Sequence, residues 1–153
     1  RVVSVGMFEH VGVARYTTFM NVVNRCLKDQ GLFLLHTIAG NRSMRSSDPW
    51  VSTYIFPNSM IPSGRQILEA AENFFVLEDW HSFGPDYAPT LMAWYDNFVA
   101  NWEKIRHHYD NRFFRMWTYY LLACAGTFRA RSNQLWQIVF SKGGVLPAYD
   151  SMR

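Results

Sequence analysis

The sequence has little of what secreted, metal-binding and membrane-spanning proteins contain. Its 153 residues include two cysteines, Cys26 and Cys124, which are too few for a disulfide framework and lack the spacing of a zinc site. We interpret this usage as typical of a reducing compartment. No apolar run reaches the ~20 residues of a membrane span. Charged residues make up 18% of the chain, which is below the ~25% of average proteins.

Common nucleotide and hydrolase signatures are also missing. The sequence contains no G-x-G-x-x-G, no phosphate-binding loop and no G-x-S-x-G elbow. The formal net charge is +3, with 12 arginines and 3 lysines against 12 acids. Arginine suits phosphate contacts, so a basic face is compatible with phospholipid headgroups, with nucleic acid or with an ordinary solvated surface. Because most aromatic residues fall on helical stripes, we predict no nucleic-acid partner.

Aromatic residues are abundant instead. Twelve Phe, eight Tyr and six Trp make up 17% of the chain. An aromatic content of this size predicts either a large aromatic core or the lining of an apolar pocket. The hydrophobic fraction of 49% is enough for the core of one domain.

Hydrophobic periodicity predicts an α/β chain. The run Val2–Val5 is typical of a strand covered on both faces. An amphipathic helix over 16–27 and a second apolar strand over 32–38 follow it. Strand, helix and strand in this order predict a parallel pair joined by a right-handed crossover.

The rest of the chain continues the alternation of helices and strands. The stretch 39–62 is predicted to be irregular and to form a lid or wall over a pocket. Ser63 is the predicted N-cap of a helix. The further predicted elements are a helix over 63–73, a strand over 74–80, a loop over 81–89, helices over 89–105 and 111–130, a strand over 135–140 and a frayed tail over 143–153.

Polar side chains follow the first two strands where the chain leaves the sheet. Gly6 permits a turn, and Glu9 comes after that turn. Parallel neighbours end at the same edge of a sheet, so Glu9 and His36 are predicted to emerge side by side at the ligand edge. Tyr87, in the predicted loop, is a third polar candidate. Such groups beside an apolar interior predict a small-molecule site, whereas the alternative is an exposed acid and a structural histidine.

Two further features carry weaker signals. His107 and His108 are adjacent and therefore point to different faces of a helix, which is poor geometry for a metal, and we predict no metal site. Cys124 lies on the apolar stripe of the helix over 111–130. A buried structural thiol is the default interpretation there.

Several short segments, in order along the chain, resemble the C-terminal half of bacterial cyclopropane-fatty-acyl-phospholipid synthases. No single motif carries the resemblance, which runs from end to end. The matching segments are Val5-Gly6-Met7-Phe8-Glu9-His10-Val11-Gly12, Leu34-Leu35-His36-Thr37-Ile38, Tyr54-Ile55-Phe56-Pro57, Glu78-Asp79-Trp80-His81, the stretch 87–94, Tyr119-Tyr120-Leu121, Cys124-Ala125-Gly126-Thr127-Phe128-Arg129-Ala130-Arg131 and Leu135-Trp136-Gln137.

The resemblance implies a fold, an activity and a place of action. The implied fold is α/β, namely strands 4–7 of a doubly wound, Rossmann-like class I methyltransferase sheet with inserted helices, the last two strands being antiparallel. Residues 1–142 would be the C-terminal part of the catalytic domain. The implied reaction uses S-adenosylmethionine to convert a cis double bond of a phospholipid acyl chain into a cyclopropane ring. Such an enzyme works in the cytoplasm, peripherally at the inner membrane surface, with the phospholipid bilayer as its partner.

The resemblance also implies roles for particular residues. A bound bicarbonate would be held by Glu9, His36, the main chain of Ile38 and Tyr87, and a further family ligand, a cysteine, would lie upstream of Arg1. Cys124 is treated as catalytic in the family, although ring formation needs no covalent enzyme intermediate. The remaining implied positions are Ser4 and Gly6 for the cofactor and Phe8, Tyr54 and Phe56 for the wall of the substrate pocket.

Two expectations follow from what this half would lack. The glycine-rich turn that seats the cofactor is absent, so we expect the chain alone to be inactive and not to bind S-adenosylmethionine with useful affinity. A sheet that begins at its fourth strand exposes an edge, so the chain should need the missing N-terminal half of the same protein or form a homo-oligomer. Two other functions remain open at this point: a lipid C-methyltransferase giving a branched or alkene product, and a non-catalytic domain that binds lipid or a partner.

Overall fold

The computed structural model describes residues 1–151, which form a four-stranded sheet and five helices. The sheet contains β1 (Val2–Val5), β2 (Leu32–Gly40), β3 (Val76–Ser82) and β4 (Asn133–Ser141). The helices are α1 (Tyr16–Cys26), α2 (Pro49–Tyr54), α3 (Gly64–Ala71), α4 (Gly84–Ile105) and α5 (Asn111–Arg129). Two short 3₁₀ turns, Phe8–His10 and Val13–Arg15, connect β1 to α1.

The strands follow the order β1-β2-β4-β3. β1 and β2 are parallel, with Val5 opposite His36, and α1 connects them, so the predicted strand–helix–strand unit is confirmed. β3 and β4 are antiparallel, with His81 opposite Gln137. The prediction that the last two strands pair antiparallel is therefore also confirmed.

β1 lies at an edge of the sheet and is more open than its apolar sequence suggests. Val3 and Val5 are 63% and 64% exposed, whereas Ser4 between them is buried. The prediction that both faces of this strand are covered is therefore wrong for the described residues. The expected exposed edge and apolar surface are confirmed.

β2 alternates strictly between its two faces, as a strand half-covered by a core does. Phe33 and Leu35 are fully buried and join the core, while His36 and Ile38 point to the opposite, half-buried face. The core cluster is largely aromatic and aliphatic and consists of Phe8, Tyr16, Met20, Val23, Leu27, Phe33, Leu35, Ile67, Ala70, Ala71, Ile138 and Phe140.

The segment predicted as an irregular lid contains helix α2. Asp48 caps this helix by accepting the N–H of Val51 at 2.9 Å, and Pro49 occupies the first turn, where its missing N–H costs nothing. The prediction for α3 is confirmed more closely. Ser63 accepts the N–H of Gln66, and the Gln66 side chain accepts the N–H of Ser63, which completes a capping box.

The loop predicted over 81–89 is wrong. β3 continues to Ser82, and α4 begins at Gly84 with Pro85 in its first turn. Tyr87 is therefore on a helix.

The described chain forms two compact units, one of residues 83–134 and one of the remainder. Within the first, α4 and α5 pack through rings: Phe98 stacks on Phe114 at 5.6 Å, and Trp102 lies 4.9 Å from the same ring.

The segment after β4 returns to the sheet. The N–H of Val145 is donated to Glu78 Oε1 at 3.0 Å, and the Ser151 hydroxyl to Asp79 Oδ2 at 3.3 Å. The prediction of a frayed tail is wrong for these residues, while Met152 and Arg153 lie outside the described residues.

Candidate functional site

The turn after β1 places an acid against the neighbouring strand. Gly6 has φ +64°, which an L side chain rarely adopts, and its N–H is donated to the carbonyl oxygen of His36 at 3.1 Å. The 3₁₀ turn Phe8–His10 then directs Glu9 toward β2. The backbone of this turn is held from another side, because the N–H of Met60 is donated to the Glu9 carbonyl oxygen at 2.7 Å.

The Glu9 carboxylate is buried and only half satisfied. Glu9 is 8% exposed. Its Oε1 accepts the backbone N–H of Ile38 at 2.7 Å. Within residues 1–151, no hydrogen-bond donor reaches its Oε2, which is also buried. A buried carboxylate oxygen without a donor is costly, so the site fits a ligand that brings an O–H or N–H group.

His36 lies within electrostatic range of this acid. Burial lowers the pKa of His36 below its ordinary value of 6.5, and the attraction of Glu9 opposes the shift without cancelling it. Nδ1 of His36 also lies 3.2 Å from the side-chain nitrogen of Gln137 on β4. The structure therefore presents a neutral imidazole beside a carboxylate.

Tyr16, a core residue at the start of α1, lies next to the turn that carries Glu9. The hydroxyl of Tyr16 is donated to the Met60 carbonyl oxygen at 3.3 Å, and its ring stacks on Phe8 at 4.1 Å. Burial, and secondarily the Glu9 charge, raises the pKa of Tyr16 to about 12. Tyr16 thus stays protonated and helps to hold the 3₁₀ turn under the segment around Met60.

The structure brings three of the predicted site residues together, namely Glu9, His36 and Ile38. The N–H of Ile38 is donated to Glu9, so the main chain of Ile38 positions the carboxylate. Its direct contact with an anion stays a prediction.

The other two candidates, Tyr87 and Cys124, lie in the unit of residues 83–134. Burial raises the pKa of the Cys124 thiol to about 11, which leaves it protonated and a poor nucleophile at neutral pH. Burial, followed by the influence of Cys124 and Tyr87, raises the pKa of Tyr120, so these three side chains share one neighbourhood.

The residues predicted for the cofactor and the substrate wall have different environments. Phe8 has no exposed surface and packs on Tyr16, so it belongs to the core and offers nothing to an open wall. Tyr54 and Phe56 are 45% and 40% exposed. Ser4 is buried, and within the described range its hydroxyl has no hydrogen-bond partner, while a Cβ added at Gly6 would meet open space.

Sequence reasoning missed two residues of this site, Tyr16 and Gln137. Tyr16 lies on the apolar stripe of α1, and a tyrosine at helical spacing is typical of a core position. Gln137 carries a clearer signal, since it is a polar residue inside the apolar run 135–140. A polar side chain at such a position needs a partner on a neighbouring strand.

Comparisons with known proteins identify the fold. The α/β fold with its mixed sheet is that of a class I S-adenosylmethionine-dependent methyltransferase domain. The cyclopropane synthase MmaA2 from Mycobacterium tuberculosis matches 92% of this chain with a TM-score of 0.83 and 26% identity, and 54% of its own chain is covered. The mycolic acid cyclopropane synthase CmaA1, complexed with SAH and CTAB, matches 92% of this chain and 54% of its own with a TM-score of 0.82 and 30% identity.

Sequence similarity narrows the class to a family. Residues 1–138 match the family model of mycolic acid cyclopropane synthetase, and the chain belongs to this family. The cyclopropane-fatty-acyl-phospholipid synthase of Escherichia coli strain K12 is 59% identical over 143 residues, which are 94% of this chain and 37% of that protein. Sphingolipid C9-methyltransferase A of Emericella nidulans is 34% identical over 89% of this chain and 28% of its own length. The chain thus spans about a third of the length of these two curated relatives.

Proposed function

We propose that this chain is the C-terminal catalytic part of an enzyme that makes cyclopropane rings in phospholipid acyl chains. The observation that carries the proposal is the 59% identity over 94% of the chain to the E. coli cyclopropane-fatty-acyl-phospholipid synthase. The buried Glu9 and the half-buried His36 fit this chemistry, since the reaction needs a proton to be removed in a place shielded from water. The same catalytic domain would include residues 1–142.

The reaction adds one carbon and loses one proton. When bound, S-adenosylmethionine supplies a methyl group from its sulfonium centre to the cis double bond, leaving a carbocation that closes to a ring as the new methyl group loses a proton. Ring faces stabilise such a cation. Tyr54 and Phe56, which are half-exposed aromatic residues, are the proposed wall for the acyl chain.

The residues around Glu9 fit a bound bicarbonate. The Oε2 of Glu9 lacks a donor within residues 1–151, and bicarbonate carries an O–H that a carboxylate can accept while its other oxygens need donors. When bound, bicarbonate supplies the base for the proton that leaves. His36 is the proposed imidazole donor to it, and the hydroxyl of Tyr87 and the main chain of Ile38 are the further proposed ligands.

The end of β1 is the part of this chain that fits the cofactor. Gly6 has open space where a side chain would be, so the backbone there is accessible to a close-fitting ligand. The buried hydroxyl of Ser4 has no partner within the described residues. We propose that both contribute to the S-adenosylmethionine site, and that Cys124, with its thiol protonated, has a structural role.

The proposed place of action is the cytoplasmic surface of a phospholipid bilayer. Within residues 1–151, no helix combines the length and the apolar character that a membrane crossing requires. Arg106 and Tyr109, in the connection between α4 and α5, and Arg115, near the start of α5, are exposed, a combination that suits anionic headgroups and the membrane interface. Sedimentation with anionic and with neutral vesicles tests this point: binding to neutral vesicles only would contradict it.

We propose that the chain is inactive on its own. Val3 and Val5 are exposed on an edge strand, as expected if the N-terminal half of the sheet normally covers them, or if copies of the chain associate. Isothermal titration of the chain with S-adenosylmethionine should show no micromolar binding. Micromolar binding would contradict the proposed incompleteness and leave the proposed reaction intact.

The competing lipid methylation is less well supported. The relative named as a sphingolipid C9-methyltransferase is 34% identical, against 59% for the cyclopropane synthase. Mass spectrometry of lipids from cells that express the full-length protein separates the two outcomes. Cyclopropanation adds one CH₂ and leaves a product that resists mild hydrogenation, whereas a methyl-branched alkene takes up hydrogen. A hydrogen-accepting product, or no added carbon, would overturn the proposal.

A further inference from the structure

The imidazole of His36 is held by a residue from a strand that is remote in sequence. Gln137 lies on β4, the neighbour of β2 in the sheet. Its side-chain Nε2 is 3.2 Å from Nδ1 of His36. On the other side of β2, the backbone of His36 is fixed to the β1 turn through the N–H of Gly6 at 3.1 Å. Both the backbone and the ring of His36 are therefore tied to neighbouring strands.

The chemistry of this contact determines where the imidazole proton lies. The amide nitrogen of glutamine donates and does not accept, so Nδ1 of His36 must be the acceptor. A neutral imidazole carries a single proton, which must then be on Nε2. Burial favours the neutral ring over the imidazolium despite the nearby Glu9.

We propose that Gln137 is a positioning residue that fixes His36 as the Nε2-protonated tautomer. The tautomer itself does not depend on the proposed function, but its role in catalysis does. An anionic ligand, or one on which negative charge develops, requires a donor nitrogen on His36. Without the amide, Nδ1 is no longer required to accept, so the tautomer with the proton on Nδ1 gains population, and that tautomer presents an acceptor at Nε2 instead of a donor.

The charged and titratable neighbours define how the contact can be tested. Glu9, on the turn after β1, attracts a proton to His36. His81, on β3, is the direct Cα partner of Gln137 and so lies on the same face of the sheet. Replacing Gln137 with a carboxylate would reverse the polarity of the contact, because a carboxylate accepts where the amide donates.

The direct test is the tautomer of His36 in the ¹⁵N-labelled chain, read from long-range ¹H–¹⁵N correlations of the imidazole. We expect the pyridine-type nitrogen to be Nδ1 and the protonated nitrogen to be Nε2. The signals of the exposed His107 and His108 in the same spectrum provide the internal reference. A wild-type spectrum with the proton on Nδ1 would overturn the inference, whatever the behaviour of any variant.

Two variants and a control make the assignment specific to Gln137. Gln137→Leu should give a mixed-tautomer signature, and Gln137→Glu should move the proton to Nδ1 and raise the pKa of His36. Gln66→Leu, which removes a capping-box contact of α3, is the control for a purely structural loss and should leave the His36 signature unchanged. An unchanged signature in folded Gln137→Leu would contradict the role of Gln137.

Activity of the full-length protein separates this inference from the proposed function. We expect Gln137→Leu to lower kcat for phospholipid cyclopropanation by roughly 10-fold or more, as removal of a group that orients a functional histidine typically does, with little change in the KM for S-adenosylmethionine. Wild-type activity in folded Gln137→Leu would contradict the role of Gln137. A wild-type protein without cyclopropanation activity would instead overturn the proposed function, and the spectrum of His36 would still decide the tautomer.

Discussion

The Oε1 atom of Glu9 accepts the backbone N–H of Ile38 at 2.7 Å, although the two residues are 29 positions apart in sequence. This bond fixes the carboxylate against β2, the strand that also carries His36. His36 and Ile38 are two residues apart and so lie on the same face of that strand. One strand therefore holds the acid with its backbone and carries the imidazole of His36 on the same face, while Oε2 of Glu9 has no hydrogen-bond donor within the described residues.

The charge of Glu9 should be measurable through its neighbours. In the Glu9→Gln variant the new side-chain oxygen can still accept the N–H of Ile38, so the fold should persist. Because Glu9 raises the pKa of both His36 and Tyr16, we expect both values to fall in the variant. Histidine titration by NMR and alkaline ultraviolet titration of tyrosine measure these changes. Glu69→Gln, an exposed acid paired with Arg65, is the matched control and should change neither pKa.

The lowered pKa of His36 also predicts a pH dependence of stability. The folded chain binds the proton of His36 less readily than the unfolded chain, whose pKa is near 6.5. Stability from this group is therefore complete above pH 6.5 and declines as the pH falls below it. Urea unfolding between neutral and mildly acidic pH should show a steeper loss in the wild type than in His36→Gln. Equal slopes for the two proteins would mean that His36 is not destabilised as an imidazolium.

Gly6 should be required for its backbone conformation, and not because a side chain would lack room there. A Cβ there meets nothing within 4 Å, yet φ is +64°. We expect Gly6→Ala to destabilise the chain by about 1–2 kcal/mol, because the left-handed conformation strains an L residue. Gly126 in α5 also has open space around a Cβ but a helical backbone, so Gly126→Ala should stabilise by about 0.5–1 kcal/mol. Urea midpoints compare the two, and destabilisation by both would contradict the conformational argument.

The thiol of Cys124 should be slow to react. Its pKa of about 11 leaves it almost wholly protonated at neutral pH, and Cys124 is less exposed than Cys26. Iodoacetamide labelling followed by peptide mass spectrometry should modify Cys26 first. Cys124→Ala in the full-length protein should retain most of its activity, whereas loss of a true nucleophile costs on the order of 10³-fold or more. A collapse of that size in a folded Cys124→Ala protein would restore the catalytic interpretation.

The four strands were predictable in their order along the chain, because each is a compact apolar run bounded by a turn. It predicted the proximity of Glu9 and His36 for a topological reason, since parallel neighbours end at the same edge. The α3 cap at Ser63 was also predicted, because the capping signal is local.

The errors arose where proline and missing neighbours decide the structure. Pro49 and Pro85 lie in segments that the sequence predicts as irregular, yet each occupies a first helical turn, where proline is tolerated. The exposure of Val3 and Val5 depends on what packs against their face of the sheet, which the pattern of the strand itself does not contain. The contact between His36 and Gln137 spans 101 residues, and no local pattern specifies it.

The central claim is that the Glu9 carboxylate of this chain serves cyclopropane formation on phospholipids. Its most direct test is the rate of ring formation by the purified full-length protein with S-adenosylmethionine and unsaturated phospholipid vesicles, compared for the wild type, Glu9→Gln and the control Glu69→Gln. We predict that Glu9→Gln lowers the rate by about 100-fold or more, as loss of a group that serves proton transfer does, while Glu69→Gln keeps the wild-type rate. A folded Glu9→Gln protein that forms rings at the wild-type rate would contradict the account.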